Sequence, residues 1–223
     1  MSESPDHLAP AMLERPRLRG VLHQWAFFVS ISLSALLVAF APAGEARLAT
    51  LVYAVAVCGL FGVSALYHRV TWQPRARRWM RRLDHSMIFV LIAGTYTPFG
   101  MLVLEGTLAV VVLAIVWGGA LAGVLLKLVW IDAPKWLVAA AYIALGWVAA
   151  IAMPELGSRL GPWALALLIG GGTAYTAGAV IYASRRPDPA PKVFGYHEIF
   201  HLLVIVAAAA HFAAVAFFVL PGA

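Results

Sequence analysis

TLVYAVAVCGLFGVSALYH, residues 50–68, runs for 19 residues with no charged side chain before its closing histidine. Coiled as an α-helix at about 1.5 Å per residue, such a run measures roughly 28 Å, close to the roughly 30 Å hydrocarbon core of a bilayer. Its apolar residues are continuous rather than alternating, and it is about twice the length of a barrel strand, so a transmembrane helix is predicted. Working outward, six further runs have the same character: about 21–41, 84–104, 107–127, 136–153, 162–183 and 198–220. Several are separated by short turns marked by Pro or Gly, among them Pro42 with Gly44, Gly106, Pro134, and Gly157 to Pro162. The composition agrees. Of 223 residues 63% are apolar and 12% charged, and the mean hydropathy is +0.88. Soluble domains hold roughly 45–50% apolar and about 25% charged residues. A water-soluble enzyme is excluded, and so is disorder, which needs few aliphatics and much charge. One cysteine, Cys58, excludes a disulfide framework and a cysteine-based zinc cluster. The expectation is an all-α polytopic membrane protein: a tail at 1–20 and one seven-helix transmembrane domain at 21–223.

The first run follows Arg15, Arg17 and Arg19 and ends Ala39-Phe40-Ala41, which has the form of a secretory signal. Its apolar stretch from Trp25 exceeds the usual 7–15 residues and six more spans follow, so a retained helix is expected. Positive charge sets the orientation. With loops taken alternately from the N-terminal tail, 14 of the 16 Lys and Arg fall on one side and only Arg47 and Arg159 on the other. The N-terminus is therefore expected in the cytoplasm and the C-terminus outside. The net charge of +6 is accounted for by this asymmetry and calls for no nucleic-acid partner. The basic loop 69–82 is read mainly as solvated charge carrying the topology signal, with an attraction for anionic headgroups.

Ionisable groups inside spans are costly and mark function. Ser64 and His68 close the second span, Asp84 and His85 open the third, and His197, Glu198 and His201 open the seventh. With the topology above, all three clusters share one depth in the cytoplasmic leaflet. Ser64 and His68 are four apart, as are His197 and His201, so each pair shares a helix face. Two histidines on successive turns can offer two nitrogens to one ion, and His68 a third. Three protein ligands with an open fourth position describe a catalytic zinc site, in which bound water has a pKa near 7. Asp84 is then placed to orient that water or to act as general base, and Ser64 to hydrogen-bond it or a substrate carbonyl. His7, His23 and His85 are read as boundary histidines that snorkel or hydrogen-bond. His211 is read as a buried polar contact to another helix. Thr95-Tyr96-Thr97-Pro98 reads as a proline kink with hydroxyls covering freed carbonyls, and Gly119, Gly123 and Gly170 to Gly172 as close helix contacts.

Ser64-Ala-Leu-Tyr-His68, Leu83-Asp84-His85-Ser86-Met87-Ile88-Phe89 with Ala93-Gly94-Thr95-Tyr96-Thr97-Pro98, and His197-x-x-x-His201 together resemble the haemolysin III proteins. These form a bacterial branch of the progestin and adipoQ receptor (PAQR) superfamily. The resemblance covers essentially the whole chain. It implies zinc held by His68, His197 and His201, with Asp84 touching the zinc-bound water and Ser64 beside it. It also implies a plasma (inner) membrane location and a zinc-dependent hydrolysis of lipid amide or ester bonds, ceramidase-like and tied to membrane homeostasis, with membrane lipids as partners. Two departures are visible. Pro16 and Arg19 stand roughly where many relatives have an acid and an asparagine before the histidine, here His23. Glu198 turns the last motif into H-E-x-x-H, a metalloprotease signature in which the Glu is general base. An intramembrane protease would leave His68 and Ser64 without a role. A receptor-like sensor with structural zinc is a further class. A pore-forming haemolysin is another, though seven apolar spans cannot cross water without a carrier.

Overall fold

A computed structural model describes residues 16–223; the reading of His7 and of most of the N-terminal tail lies outside them. Seven α-helices follow one another: α1 Val21–Phe40, α2 Glu45–Arg69, α3 Pro74–Leu102, α4 Gly106–Val129, α5 Lys135–Gly146, α6 Ala149–Ser184 and α7 Tyr196–Ala214. A π-helical turn, Val215–Val219, continues α7. Helices α1, α2, α3 and α4 pack as successive neighbours, α5 lies on α6, α6 lies on α7, and α7 returns to α1. Large apolar side chains face outward, among them Trp25, Phe40, Val129 and Phe217. In water that surface would drive aggregation; against hydrocarbon it is the stable arrangement.

Six helical stretches are long and apolar enough to cross a membrane: the first four helices, Lys135–Ser184, and Tyr196–Gly222. The fifth of these is 50 residues, which if straight would extend about 75 Å, well over twice the hydrocarbon thickness. It is not straight. The helix ends at Gly146 and resumes at Ala149, and a second break falls at Gly161, whose φ of 81° and ψ of 177° leave the helical region. Glycine adopts that φ without steric cost, and Pro162 then opens the next helical segment.

The break at Gly146 is patched from another helix. The hydroxyl of Tyr96 on α3 donates to the Gly146 carbonyl and accepts from the Ala149 amide at 2.6 Å. In an apolar environment both backbone groups would otherwise be orphaned. Tyr96 therefore covers a break in α5–α6 rather than its own proline kink, and Thr97 Oγ1 bonds the Ala93 carbonyl at 2.9 Å. Tyr96→Phe removes one hydroxyl and leaves two backbone groups unpaired. A loss of about 2–4 kcal/mol is expected, read as a lower melting temperature in detergent; an unchanged melt would show that another group covers the break.

Hydropathy places the start of the third apolar run at residue 84, but α3 begins at Pro74. Arg75 to Arg82 are thus helical, not a loop. Pro74 is suited to the first helical position, and arginine is a good helix former; apolarity marks the membrane, not the end of a helix. At the opposite end of the bundle, Arg159 donates to Glu105 at 2.6 Å and holds that carboxyl below its ordinary range.

Candidate metal centre

Most of the buried polar side chains gather at one end of the bundle: His23, Ser64, His68, Ser86, Lys127, Glu198 and His201. They come from the start of α1, the end of α2, the middle of α3, the end of α4 and the start of α7. Alternating helix direction brings these sequence-distant ends together.

His197 and His201 stand on successive turns of α7, and the start of that helix is firmly held. Glu198 Oε2 accepts the Gly195 amide at 2.9 Å, and Asp188 Oδ1 accepts the Tyr196 amide at 2.9 Å. Two carboxylates thus satisfy helix N-terminal N–H groups and favour the positive end of the dipole. His68 sits in the last turn of α2, against Gly20. Gly20 has φ 78°, and a Cβ added there would lie 2.6 Å from the His68 Cβ, so the chain can pass His68 only with glycine.

Each of His68, His197 and His201 offers a ring nitrogen, and these atoms all lie within 4.8 Å of one another. Nε2 of His68 and Nε2 of His197 are 3.2 Å apart. Two nitrogens about 2.0–2.1 Å from one tetrahedral ion are separated by roughly 3.3 Å, so this pair already stands at ligand spacing. The donor set fits a metal that favours imidazole, such as Zn, Cu, Ni or Fe. Asp84 Oδ2 lies 3.9 Å from His68 Nε2, beside the three histidines. Ser64 Oγ is in hydrogen-bond contact with His23 Nδ1 at 2.8 Å and also neighbours the Asp84 carboxyl.

His23 is the residue that sequence reasoning misses. It is 3% exposed, its ring is stacked on His201 with centroids 3.8 Å apart, and its Nε2 is buried without a hydrogen-bond partner among the described residues. Read as a boundary histidine that snorkels or hydrogen-bonds, it does hydrogen-bond, to Ser64, and it lies buried against His201. His85 Nδ1 is likewise buried and unpartnered, and its carbonyl accepts from Tyr142 at 2.9 Å. His211 meets the Leu168 carbonyl of α6 at 3.2 Å, an inter-helix contact rather than part of the cluster.

Glu198 turns away from the histidines. Its Oε1 accepts from Arg19 Nε at 2.5 Å while Oε2 caps α7, and it is 1% exposed. Both oxygens are taken, so the H-E-x-x-H spacing does not put a free general base at the cluster. Backbone bonds from Arg17 to Lys192 and from Leu18 to Val193 tie the same segment to the α6–α7 loop. Arg19→Met would strand a buried carboxylate at an expected cost of about 3–5 kcal/mol. Adding Glu198→Gln should recover much of that loss. Denaturation of the single and double variants measures both; equal losses would mean the pair is not coupled.

His23, His197, His201, Ser64 and Asp84 line a partly open cavity to which all seven helices contribute. Its volume of about 50 Å³ is several times the roughly 10–15 Å³ that one water needs. A second, almost wholly apolar cavity shares Leu60, Ile88, Tyr142, Ala179, Phe200 and Val204 with the first.

A helical bundle with a lipid-facing surface and a buried histidine cluster at one end defines a multi-pass membrane protein with a candidate metal centre. The family model described as Haemolysin-III related matches residues 12–212. The chain is 35% identical over 179 residues to Hemolysin-3 of Bacillus cereus, across 80% of this chain and 78% of that protein. It is 34% identical over 167 residues to the Hemolysin-3 homolog of Bacillus subtilis (strain 168), across 75% of each. The Heptahelical transmembrane protein ADIPOR2 of Oryza sativa subsp. japonica is 30% identical over 190 residues, 77% of this chain and 82% of that protein. The chain belongs to the haemolysin III family, within the PAQR superfamily.

Proposed function

We propose that this protein is a zinc-dependent hydrolase of amide or ester bonds in membrane lipids, ceramidase-like and acting in membrane homeostasis. It crosses the bacterial plasma membrane seven times, with the N-terminus in the cytoplasm. The observation that carries the reading is the cluster of His68, His197 and His201, with His197, His201, Asp84 and Ser64 lining one cavity that shares walls with an apolar one. The breaks at Gly146 and Gly161 within the 50-residue stretch support seven passes, and a relative carries the name heptahelical. The distribution of Lys and Arg supports the orientation.

His68, His197 and His201 would hold the metal, and a zinc ion there would supply Lewis-acid polarisation of a carbonyl and a nucleophile at neutral pH. Asp84 takes the proton from the attacking water at its carboxylate and returns it to the leaving nitrogen or oxygen. Ser64, anchored by His23, orients the substrate carbonyl or the water. The apolar walls exclude bulk water and take up acyl chain. The test is elemental analysis of the purified protein and of His68→Ala, combined with mass spectrometry of lipids incubated with each. About one zinc per chain and metal-dependent release of an acyl product are expected; zinc without any lipid turnover would refute the hydrolase.

A second reading, a membrane sensor with structural zinc, is favoured by Asp84 lying within 4 Å of a ligand nitrogen. X-ray absorption on the zinc-loaded protein separates the two: three nitrogens with an exchangeable light atom for the hydrolase, a closed shell including Asp84 for the sensor.

A further inference from the structure

Topology accounts for arginines that point into the cytoplasm, but not for cations that point inward. Lys127 lies in the last turn of α4 and is 1% exposed. It lines the same cavity as Asp84, His197 and His201, together with Lys135 of α5 and Arg81 of α3. The Lys127 ammonium has one hydrogen bond, to the Ile131 carbonyl at 3.3 Å, and no carboxylate within 4.0 Å among the described residues. Capping the end of α4 occupies one of its three donors, and the nearest acid to act on its charge, Asp132, stands beyond 4.0 Å and is already paired with Arg81. Lys135 Nζ contacts the Tyr196 hydroxyl at 3.2 Å and lies 4.5 Å over the Tyr182 ring, again with no acid. Arg81 shares its charge with exposed Asp132 at 2.8 Å. The unpartnered His85 Nδ1 lies on the same wall. Against these groups the cavity has one carboxylate, Asp84, and that sits with the histidines.

A buried ammonium with no carboxylate in contact is costly, and in a membrane protein it points to a bound partner. Guanidinium and ammonium groups converging on one cavity are matched by phosphate oxygens. The neighbouring apolar cavity selects between a free anion and a lipid, because only a molecule with both a charge and a hydrocarbon chain satisfies both spaces. We propose that Lys127, Lys135 and Arg81 bind the phosphate of an anionic phospholipid, which is the substrate class of the candidate metal centre. The lipid's role as substrate rests on the lipid-hydrolase reading, while the binding site stands on its own geometry.

Binding and cleavage are therefore measured separately. Native mass spectrometry of the full chain in neutral detergent is read with dioleoyl phosphatidylglycerol, dioleoyl phosphatidylcholine and inorganic phosphate. The expected result is a preference for phosphatidylglycerol of about tenfold or more, one charge-assisted contact being worth that much. Lys127→Met and Lys135→Gln should each remove most of it, and Arg75→Gln with Arg77→Gln, on the exposed helix start, should retain it. Metal content at the wild-type level reports that Lys127→Met is folded; if it is not, Lys135→Gln carries the test. Equal binding of both lipids, or equal loss in the Arg75/Arg77 variant, overturns the proposal. Inorganic phosphate binding as tightly as the lipid overturns its lipid part. Preferential binding without cleavage sinks the hydrolase and spares this site; equal binding and cleavage of both lipids does the reverse.

Discussion

His68→Ala is expected to strip the protein of metal. A group that merely orients a metal-bound histidine typically contributes 10–100-fold to affinity, so loss of a ligand itself should weaken binding by more than about a hundredfold. Metal content should fall from about one equivalent per chain to roughly a tenth or less after dialysis, and lipid turnover with it. Nε2 of His68 and Nε2 of His197 stand 3.2 Å apart, the spacing of two ligands on one ion. If His68→Ala keeps a full equivalent, the metal is elsewhere. His211→Ala is the control: its contact is with the Leu168 carbonyl, and metal content should not change.

Asp84→Asn should separate binding from chemistry. The amide keeps the shape of the side chain and a hydrogen-bonding contact to Ser64, but it lacks a carboxylate to receive a proton. Metal content should be unchanged, while kcat should fall by about 10²–10⁴-fold, the usual contribution of a positioned general base. Loss of metal together with activity would instead make Asp84 a ligand, the arrangement the structural-zinc reading requires. Glu198→Gln sharpens the comparison. Glu198 is taken by Arg19 and Gly195, so that variant should lose stability rather than turnover per folded molecule. A large drop in kcat at full metal content would restore the H-E-x-x-H protease reading.

Local pattern was informative where the physics is local. An uninterrupted apolar run such as 50–68 needs nothing outside itself to be a helix of membrane length. Spacing of four places His197 and His201 on one face wherever the helix goes. Ser64, His68, Asp84, His197 and His201 were therefore legible as one set of depths. His23 was not, because nothing in its neighbours says that α1 passes beside His201. Lys127 read as one more cytoplasmic charge, since its inward direction depends on how α4 is rotated against α3 and α5. Glu198 carried a misleading motif. Only the path of residues 17–20 across the α6–α7 loop reveals that Arg19 claims it.

The amino-acid order alone determined an all-helical membrane protein and put His197 and His201 on one helix face, since hydropathy and helical period are properties of consecutive residues. Tertiary structure alone decided that three imidazole nitrogens come within 4.8 Å, that Tyr96 mends a break in a different helix, and that Lys127 faces a cavity. Those outcomes depend on helix rotation and crossing, which are set by side-chain packing between segments far apart in the chain.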